Sequence, residues 1–179
     1  MLTTAFVGSI LVGFLRGGSL RPFADLELRA LWLVLVAFGG QVAMRVWHLG
    51  GAAVGILYGV TFALLLLFIW LNRRHWELAF MGTGIIANAL VIWANGGRMP
   101  VSLSAYARAT GEVLTTGIPD PTHVTLGAGS RFPWLADVWV LPRPYPLAGV
   151  FSLGDVLVAV GLFLFMQHVM LGKSRLQGN

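Results

Sequence analysis

The chain alternates long apolar runs with short polar connections, and this pattern predicts helices that span a membrane. Five runs carry almost no charge: Leu2–Leu15, Ala30–Trp47, Ala52–Leu71, Leu78–Ala94 and Val150–Leu171. A helix of about 20 mostly apolar residues crosses a bilayer core of roughly 30 Å. The pattern therefore predicts an all-α membrane protein, a bundle of about five transmembrane helices. The first run is short, which leaves open whether it fully spans.

The long polar segment before the last run divides the chain. We expect transmembrane helices in residues 1–94, an external loop in 95–149, and the last helix with a cytoplasmic tail in 150–179. The loop is rich in aromatic and apolar residues, whereas disordered segments are poor in them. Within it, Ser102–Leu114 places Ser104, Arg108 and Glu112 on one side, with Ser102 as an N-cap. We predict an ordered external loop that carries an amphipathic helix and covers the bundle as a cap.

Basic residues indicate how the helices are oriented. With five spans, one side receives Arg16, Arg21, Arg29, Arg73, Arg74, Lys173 and Arg175. Short loops rich in Lys and Arg face the cytoplasm, so we expect an external N-terminus and a cytoplasmic C-terminus. Five tryptophans lie near the predicted helix ends, as expected at membrane interfaces: Trp32, Trp47, Trp70, Trp76 and Trp93. The predicted location is the bacterial cytoplasmic (inner) membrane, with multiple passes.

Composition narrows the possible functions. The 179 residues are 57% hydrophobic and 11% charged, which is outside the usual soluble range. The net charge of +5 is scattered between apolar runs, so membrane lipids are expected partners and nucleic acid is not. The chain has no cysteine, which excludes disulfides and Cys-ligated metals. A haem held by two histidines needs them at matched depths on facing helices, and no two of the four histidines are expected in such positions. We therefore predict no cofactor and no metal.

Three glycines at intervals of four, Gly51, Gly55 and Gly59, form a ridge on one face at the start of the third predicted helix. Small residues at this spacing let two helices approach closely in lipid. The ridge is interpreted as packing against the second helix, which carries Gly39 and Gly40. A homodimer interface is the alternative.

Polar side chains within the runs are costly in lipid and tend to face protein or water. In the predicted topology they gather in the outer half of the bundle, and they are Gln41, Arg45, His48, Asn88, Asn95, Arg98 and Asp155. One interpretation is an internal ion pair of Asp155 with Arg45 or Arg98. A second is a site for a phosphate or carboxylate group, because an arginine fork suits either. A third is a proton or ion pathway. His123 is expected on the loop surface.

Two stretches resemble the signatures of a known family. These are Asn95-Gly96-Gly97-Arg98-Met99-Pro100-Val101-Ser102 and Val150-Phe151-Ser152-Leu153-Gly154-Asp155-Val156-Leu157. They are similar to those of small bacterial integral membrane proteins of unknown function. The resemblance implies the same order of spans, with a loop before the Gly-Asp segment. It implies no activity, cofactor or catalytic residue.

Three classes of function follow from these observations. The first is a non-catalytic accessory or scaffold subunit of a membrane complex, with Trp134 and Trp139 of the loop contacting protein partners. The second is binding or transport of an anionic lipid or another amphiphilic anion at the Arg/Asp cluster. The third is a membrane enzyme that uses Asp155 and His48 as acid and base. This third class has the least support, because one carboxylate and one histidine do not specify a reaction.

Overall fold

The computed structural model describes residues 2–47, 52–114, 117–118, 120–145 and 147–172, with only the backbone of Arg45 and Ala52. The described chain forms six α-helices and four short β-strands. The helices are α1 (Leu2–Leu15), α2 (Trp32–Val46), α3 (Ala52–Leu71), α4 (Glu77–Ala94), α5 (Leu103–Thr110) and α6 (Leu153–Met170). The strands are β1 (Met99–Val101), β2 (His123–Thr125), β3 (Trp139–Leu141) and β4 (Gly149–Phe151).

Each of the five apolar runs contains one helix, and three of these helices, α3, α4 and α6, are long and apolar enough to cross a membrane. The helices α1 and α2 are shorter, with 14 and 15 residues. The last run begins as strand β4, and its helix starts only at Leu153, because Ser152 is extended and caps the first turn. The structure thus supports a membrane protein built mainly from apolar helices.

Contacts at the two ends of the helices show which ends lie together. At one end, the Ser19 backbone N–H donates to the Met170 carbonyl over 2.9 Å, which joins the C-terminal ends of α1 and α6. At the other end, the Tyr145 hydroxyl donates to Thr4 Oγ1 over 3.2 Å. The described residues of 95–149 therefore cover the end that contains the start of α1 and the start of α6. We call these residues the cap, and this end the cap end.

Helices α4 and α6 approach each other very closely, because glycines lie at their contact. A Cβ added to Gly84 would lie 2.8 Å from Val158 Cγ2 and 2.9 Å from the Val158 nitrogen, and it would also meet the Gly154 carbonyl. Gly161 is similarly close to α4, where an added Cβ would lie 2.7 Å from the Met81 nitrogen. The backbones themselves fill this space, so no larger residue fits without moving a helix.

The predicted glycine ridge of α3 packs against a different neighbour. An added Cβ on Gly55 would lie 3.2 Å from Gly97 Cα, and one on Gly59 would lie 3.0 Å from the Trp93 ring. Gly55 and Gly59 thus face the C-terminal end of α4, whereas Gly39 of α2 has nothing within 4 Å. The interpretation that the ridge packs against α2 does not hold for Gly55 and Gly59. Helices α2 and α3 nevertheless pack together at Gly40, where an added Cβ would lie 3.0 Å from Thr61 Cγ2. Gly51 lies outside the described residues.

The cap is ordered by two small β pairings. Strands β1 and β2 are parallel, with Met99 opposite His123, and β3 and β4 are antiparallel, with Trp139 opposite Phe151. The segment predicted to be helical contains α5, and the Ser102 side chain caps this helix by accepting a hydrogen bond from the Ala105 backbone. This helix is shorter than Ser102–Leu114, because Gly111 is left-handed, with a φ of 81°.

We predict that Gly84→Ala destabilises the fold, because the new methyl group overlaps the α6 backbone. Overpacking of a tight contact costs about 1–3 kcal/mol. The melting temperature of the purified protein in detergent should fall by several degrees. Gly39→Ala is the matched control, since it adds the same methyl group to a helix with open space around it. Equal melting temperatures for the two variants would contradict the close packing of α4 on α6.

Candidate functional site

The first turn of α6 is fixed by a reciprocal pair of side-chain hydrogen bonds. Ser152 Oγ accepts from the Asp155 backbone N–H at 3.0 Å, and Asp155 Oδ2 accepts from the Ser152 N–H at 3.1 Å. This capping box satisfies two backbone donors that a helix start leaves without partners. It also holds the Asp155 carboxylate at the cap end of the bundle.

Asn88 of α4 binds both members of this capping box. Its Nδ2 donates to Asp155 Oδ1 over 2.9 Å, and its Oδ1 accepts from Ser152 Oγ at 2.9 Å. The close approach of α4 and α6 allows these bonds. The Ser152 side chain is fully buried, so its hydroxyl depends on Asn88 and the Asp155 backbone for its hydrogen bonds.

The cap brings a histidine between two carboxylates. His123 Nδ1 lies 2.9 Å from Asp120 Oδ2, and His123 Nε2 lies 3.7 Å from Asp137 Oδ2. Strand pairing holds His123 opposite Met99. Asp137 is held by its backbone, which donates to the Pro100 carbonyl and accepts from the Ser102 N–H. Both side chains are therefore fixed relative to β1.

The pKa of Asp120 is held well below its usual value. The main cause is the hydrogen bond from His123, which favours the ionised carboxylate and outweighs the opposing effect of burial. The Thr122 hydroxyl and backbone N–H add two more hydrogen bonds, of 2.6 and 2.8 Å, to Asp120 Oδ1. The carboxylate is thus ionised across the physiological pH range.

A small polar cavity of about 140 Å³ lies between the His123 and Asp137 side chains of the cap and the Asn88 and Asp155 side chains of the helices, and we call it the cap cavity. Four helices and the cap line it, and the lining residues are Gln41, Tyr58, Phe62, Asn88, Ile92, Met99, His123, Asp137 and Asp155. A second cavity of about 160 Å³ lies deeper among the helices, and we call it the bundle cavity. Its walls are mainly apolar, with Val34, Phe38, Leu65 and Ile85 among them. The two cavities share Gln41, Phe62, Asn88 and Asp155.

The structure brings three of the predicted site residues together: Gln41, Asn88 and Asp155 line both cavities. Asn95 lies apart from them and binds the cap backbone, with Nδ2 donating to the Arg131 carbonyl over 2.9 Å. Arg98 is exposed in the turn after α4 and lines neither cavity. Arg45 belongs to α2, but its side chain lies outside the described residues, as does the whole of His48.

Asp155 was expected to pair with Arg45 or Arg98, and the structure describes the side chain of Arg98 alone. Within the described part of the chain, Asp155 binds Asn88 and Ser152, and Arg98 forms no salt bridge with it. The reason is local: a capping box and an amide satisfy both carboxylate oxygens. Pairing with Arg45 stays a prediction, because that side chain is not described.

Sequence reasoning missed several of the residues that line the cap cavity. His123 was expected on the loop surface, and this was wrong, because strand pairing turns it toward Asp137. Tyr58 and Asp137 are not among the site residues that the sequence predicts. Asp137 does carry a readable signal, since it is a single acidic residue within the apolar stretch 134–141. The spacing of Ser152 and Asp155 is likewise that of a capping box.

A second ionisable pair lies at the opposite end of the bundle. Glu77 is 1% exposed and contacts His168 Nδ1, which ties the start of α4 to the end of α6. Nearby, Gln167 donates to the Ser9 carbonyl over 2.6 Å and accepts from Arg16 at 3.0 Å.

Within the described residues, no three His, Cys, Asp or Glu side chains are grouped so as to hold a metal ion.

A family model covers most of the chain. The model of DUF5317, a family of unknown function, matches residues 25–167, a range that includes every residue lining the cap cavity. An uncharacterized protein from Thermotoga maritima is 28% identical over 168 residues, which cover 92% of this chain and 89% of that protein. No solved structure matches the chain. These findings confirm the resemblance to a family of unknown function.

We predict that Asp120→Asn lowers the melting temperature at pH 6 by a few degrees. The folded state lowers the pKa of Asp120 below its ordinary value of 3.8, so ionisation stabilises the fold above that pH. This contribution declines as the pH falls below about 3.8, where the unfolded chain takes up the proton first. The difference between the wild type and the variant should therefore shrink in acid.

The measurement is a series of thermal melts between pH 3 and pH 7 (roughly the range that spans carboxylate titration). Glu112→Gln, at an exposed position outside this cluster, serves as the control and should leave the melting temperature at pH 6 unchanged. A gap between wild type and Asp120→Asn that is constant over the whole range would show that ionised Asp120 does not stabilise the cap.

Proposed function

Since this chain belongs to DUF5317, a family of unknown function, we propose its function from its geometry: it is a non-catalytic membrane protein that binds an amphiphile. The polar head group occupies the cap cavity, and the apolar part of the molecule extends into the bundle cavity. The observation that carries this proposal is that the two cavities share four lining residues.

The arrangement of the two cavities suits a molecule with one polar and one apolar part. At the cap end, the described walls carry two carboxylates, a histidine, a phenol and two amides. Deeper in the bundle, the walls are mostly aliphatic and aromatic. Binding sites for small molecules typically combine apolar walls with a few convergent polar groups that fix the orientation of the ligand.

The described polar groups favour a head group that donates hydrogen bonds, such as a hydroxyl or an amine. Asp137 is an acceptor when ionised, and each Asp155 oxygen keeps one lone pair beyond its bond to Asn88 or Ser152. The Gln41 amide oxygen adds a further acceptor. The anionic head group expected from the sequence depends on Arg45, because Arg98 lies outside both cavities. We therefore rank the donor head group first and keep the amphiphilic anion as the alternative.

The proposal includes a location and a topology: the chain crosses a bacterial inner membrane five times, with its N-terminus outside. Large apolar side chains of α1 and α2 are exposed, among them Leu11 at 59% and Leu35 at 69%, which suits contact with lipid. Helix α1 has a length of about 21 Å and therefore requires local thinning of the bilayer. Arg16, Arg29 and Arg73 belong to the end opposite the cap, which supports placing the cap outside.

An accessory role in a membrane complex is the second candidate, and exposed tryptophans in the cap favour it. Trp134 is 61% exposed and Trp139 is 55% exposed. Trp134 is also held in place, with its ring perpendicular to that of Phe132 at 6.3 Å. Large aromatic side chains of this kind often dominate the binding energy of protein interfaces. These two residues are therefore the partner contacts that we propose.

We predict that Gln41→Leu reduces the amount of a co-purifying amphiphile by about tenfold, the effect of removing one or two hydrogen bonds. Gln41 is suited to this test because its described bond, to Thr61 Oγ1, is long at 3.5 Å, so the fold should persist. The protein is extracted in native lipid particles, and its bound lipids are quantified by mass spectrometry against those of the surrounding membrane.

Thr83→Val is the control, because Thr83 is exposed on α4 and lines neither cavity. This variant should retain the same enriched molecule as the wild type. Lipid with the same composition as the bulk membrane in every preparation would contradict the proposal. Enrichment of a molecule whose head group offers only anionic oxygens would contradict the donor head group and favour the anion alternative.

For the accessory role, we predict that Trp134→Ala combined with Trp139→Ala abolishes the recovery of a stoichiometric partner protein. Val113→Ala is the control, since Val113 is an apolar cap residue that is 84% exposed. The measurement is affinity purification from native membranes with quantification of partners by mass spectrometry. Recovery of the same partner at the same level by the double variant would exclude these tryptophans from the interface.

A further inference from the structure

The end of the bundle opposite the cap holds a pocket of about 460 Å³ that the proposed function does not use. It lies between the segment before α2 and the turn from α3 to α4. Its walls are Glu27, Leu28, Arg29, Trp70, Leu71, Asn72, Arg73, Arg74 and His75. We call it the interface pocket, because the apolar span of α3 ends at Leu71 and that of α4 begins at Glu77. Residues between two such spans lie at the depth of lipid head groups.

A buried asparagine builds this pocket. Asn72 is 5% exposed, and its side chain accepts from the Arg29 N–H at 2.8 Å and donates to the Arg29 carbonyl over 2.9 Å. It also donates to the Phe68 carbonyl over 2.8 Å, and its own carbonyl accepts from the His75 N–H at 2.9 Å. These bonds hold Arg29 beside Arg73 and Arg74, although 43 residues separate Arg29 from Asn72 in the chain.

The charge of the pocket is strongly positive. Three arginines and one acidic residue, Glu27, line it, and within the described chain none of the three arginines forms a salt bridge. Arg29, Arg73 and Arg74 are all exposed. The pKa of His75 is lowered, chiefly by burial, so the positive charge at neutral pH comes from the arginines. The pocket thus offers several charged donors that the protein itself leaves available.

The neighbouring tryptophan suits a membrane interface and orients one arginine. The Arg73 guanidinium lies 5.4 Å from the centre of the Trp70 ring, and Trp70 is 60% exposed. An arginine placed over an aromatic face keeps its N–H groups free for a ligand at its edge. Tryptophan favours the boundary between head groups and hydrocarbon.

We propose that the interface pocket binds the phosphate group of an anionic membrane lipid, with Arg29, Arg73 and Arg74 as its ligands. A guanidinium presents a planar fork of donors that matches two oxygens of a phosphate. Basic pockets between helix ends on the cytoplasmic side are suited to such head groups. The site is distinct from the cap cavity, and its occupation does not depend on the amphiphile bound there.

The alternative role for these arginines is general: they favour the cytoplasmic side and balance the C-terminal dipole of α3. Such a role needs only positive charge near the helix end, and any nearby arginine supplies it. Arg21 provides the comparison, because it is exposed at the same end of the bundle but does not line the pocket. A binding site should distinguish Arg29 from Arg21, whereas a general charge effect should not.

The test is native mass spectrometry of the full chain in detergent with added phosphatidylglycerol or, separately, the zwitterionic phosphatidylcholine. The wild type should retain phosphatidylglycerol and much less phosphatidylcholine. Arg29→Gln should reduce the phosphatidylglycerol adduct by about tenfold, since hydrogen bonds to charged groups are worth about 1.5–3 kcal/mol. Arg21→Gln should leave it unchanged, and Arg73→Lys should reduce it because the charge remains but the fork is lost.

Melting temperatures of the variants, recorded in the same detergent, ensure that only folded proteins are compared. Equal losses for Arg29→Gln and Arg21→Gln would overturn the proposal, as would equal retention of the two lipids. Displacement of the lipid by inorganic phosphate at millimolar concentration would also overturn it, because the pocket would then take free phosphate. None of these outcomes bears on the cap cavity, which lies at the other end of the helices.

Discussion

The hydrogen bonds between Asn88 and the first turn of α6 are the interaction on which the cap end depends. Asn88 contacts both Ser152 and Asp155, and these two residues bond to each other's backbone. Such a network forms only because Gly84 and Gly154 let the two helices come close. Each buried polar group that lost its partner would cost about 1–3 kcal/mol. One set of contacts therefore fixes the helix pair, the start of α6 and one wall of the cap cavity.

The same constraint connects the cap to the bundle. Strand β4 leads directly into Ser152, and β3 pairs with β4, so the end of the cap is positioned by the start of α6. At the other edge, Asn95 at the end of α4 exchanges two hydrogen bonds with the Arg131 backbone. The cap is thus held at both edges by helix ends, and it presents His123 and Asp137 to the cavity beneath it. This is why polar residues far apart in sequence converge on one small volume.

Much of the helical architecture was readable from the sequence, because apolar runs and caps are local signals. The five runs each contain a helix, and Ser102 caps α5 as expected. The cap cavity was only partly predictable. The sequence identifies Asn88 and Asp155 as candidates because polar side chains within apolar membrane helices are costly, but it does not identify His123, which lies in the loop. The position of His123 depends on the parallel pairing of β1 and β2, in which it lies opposite Met99, 24 residues earlier in the chain. No local sequence pattern encodes a pairing of two strands of three residues. Arg98 is exposed and lines neither cavity, and the turn that places it there is set by the tertiary fold.

The central claim is that the cap cavity and the bundle cavity form one binding site. The most direct measurement is an experimental structure of the wild-type protein crystallised from a lipid phase, with its co-purified molecules retained. The claim predicts continuous density for a single molecule, with its head group near Asn88 and Asp155 and its apolar part beside Phe38 and Leu65. A cap cavity filled by protein side chains, or two cavities separated by a packed wall, would contradict it.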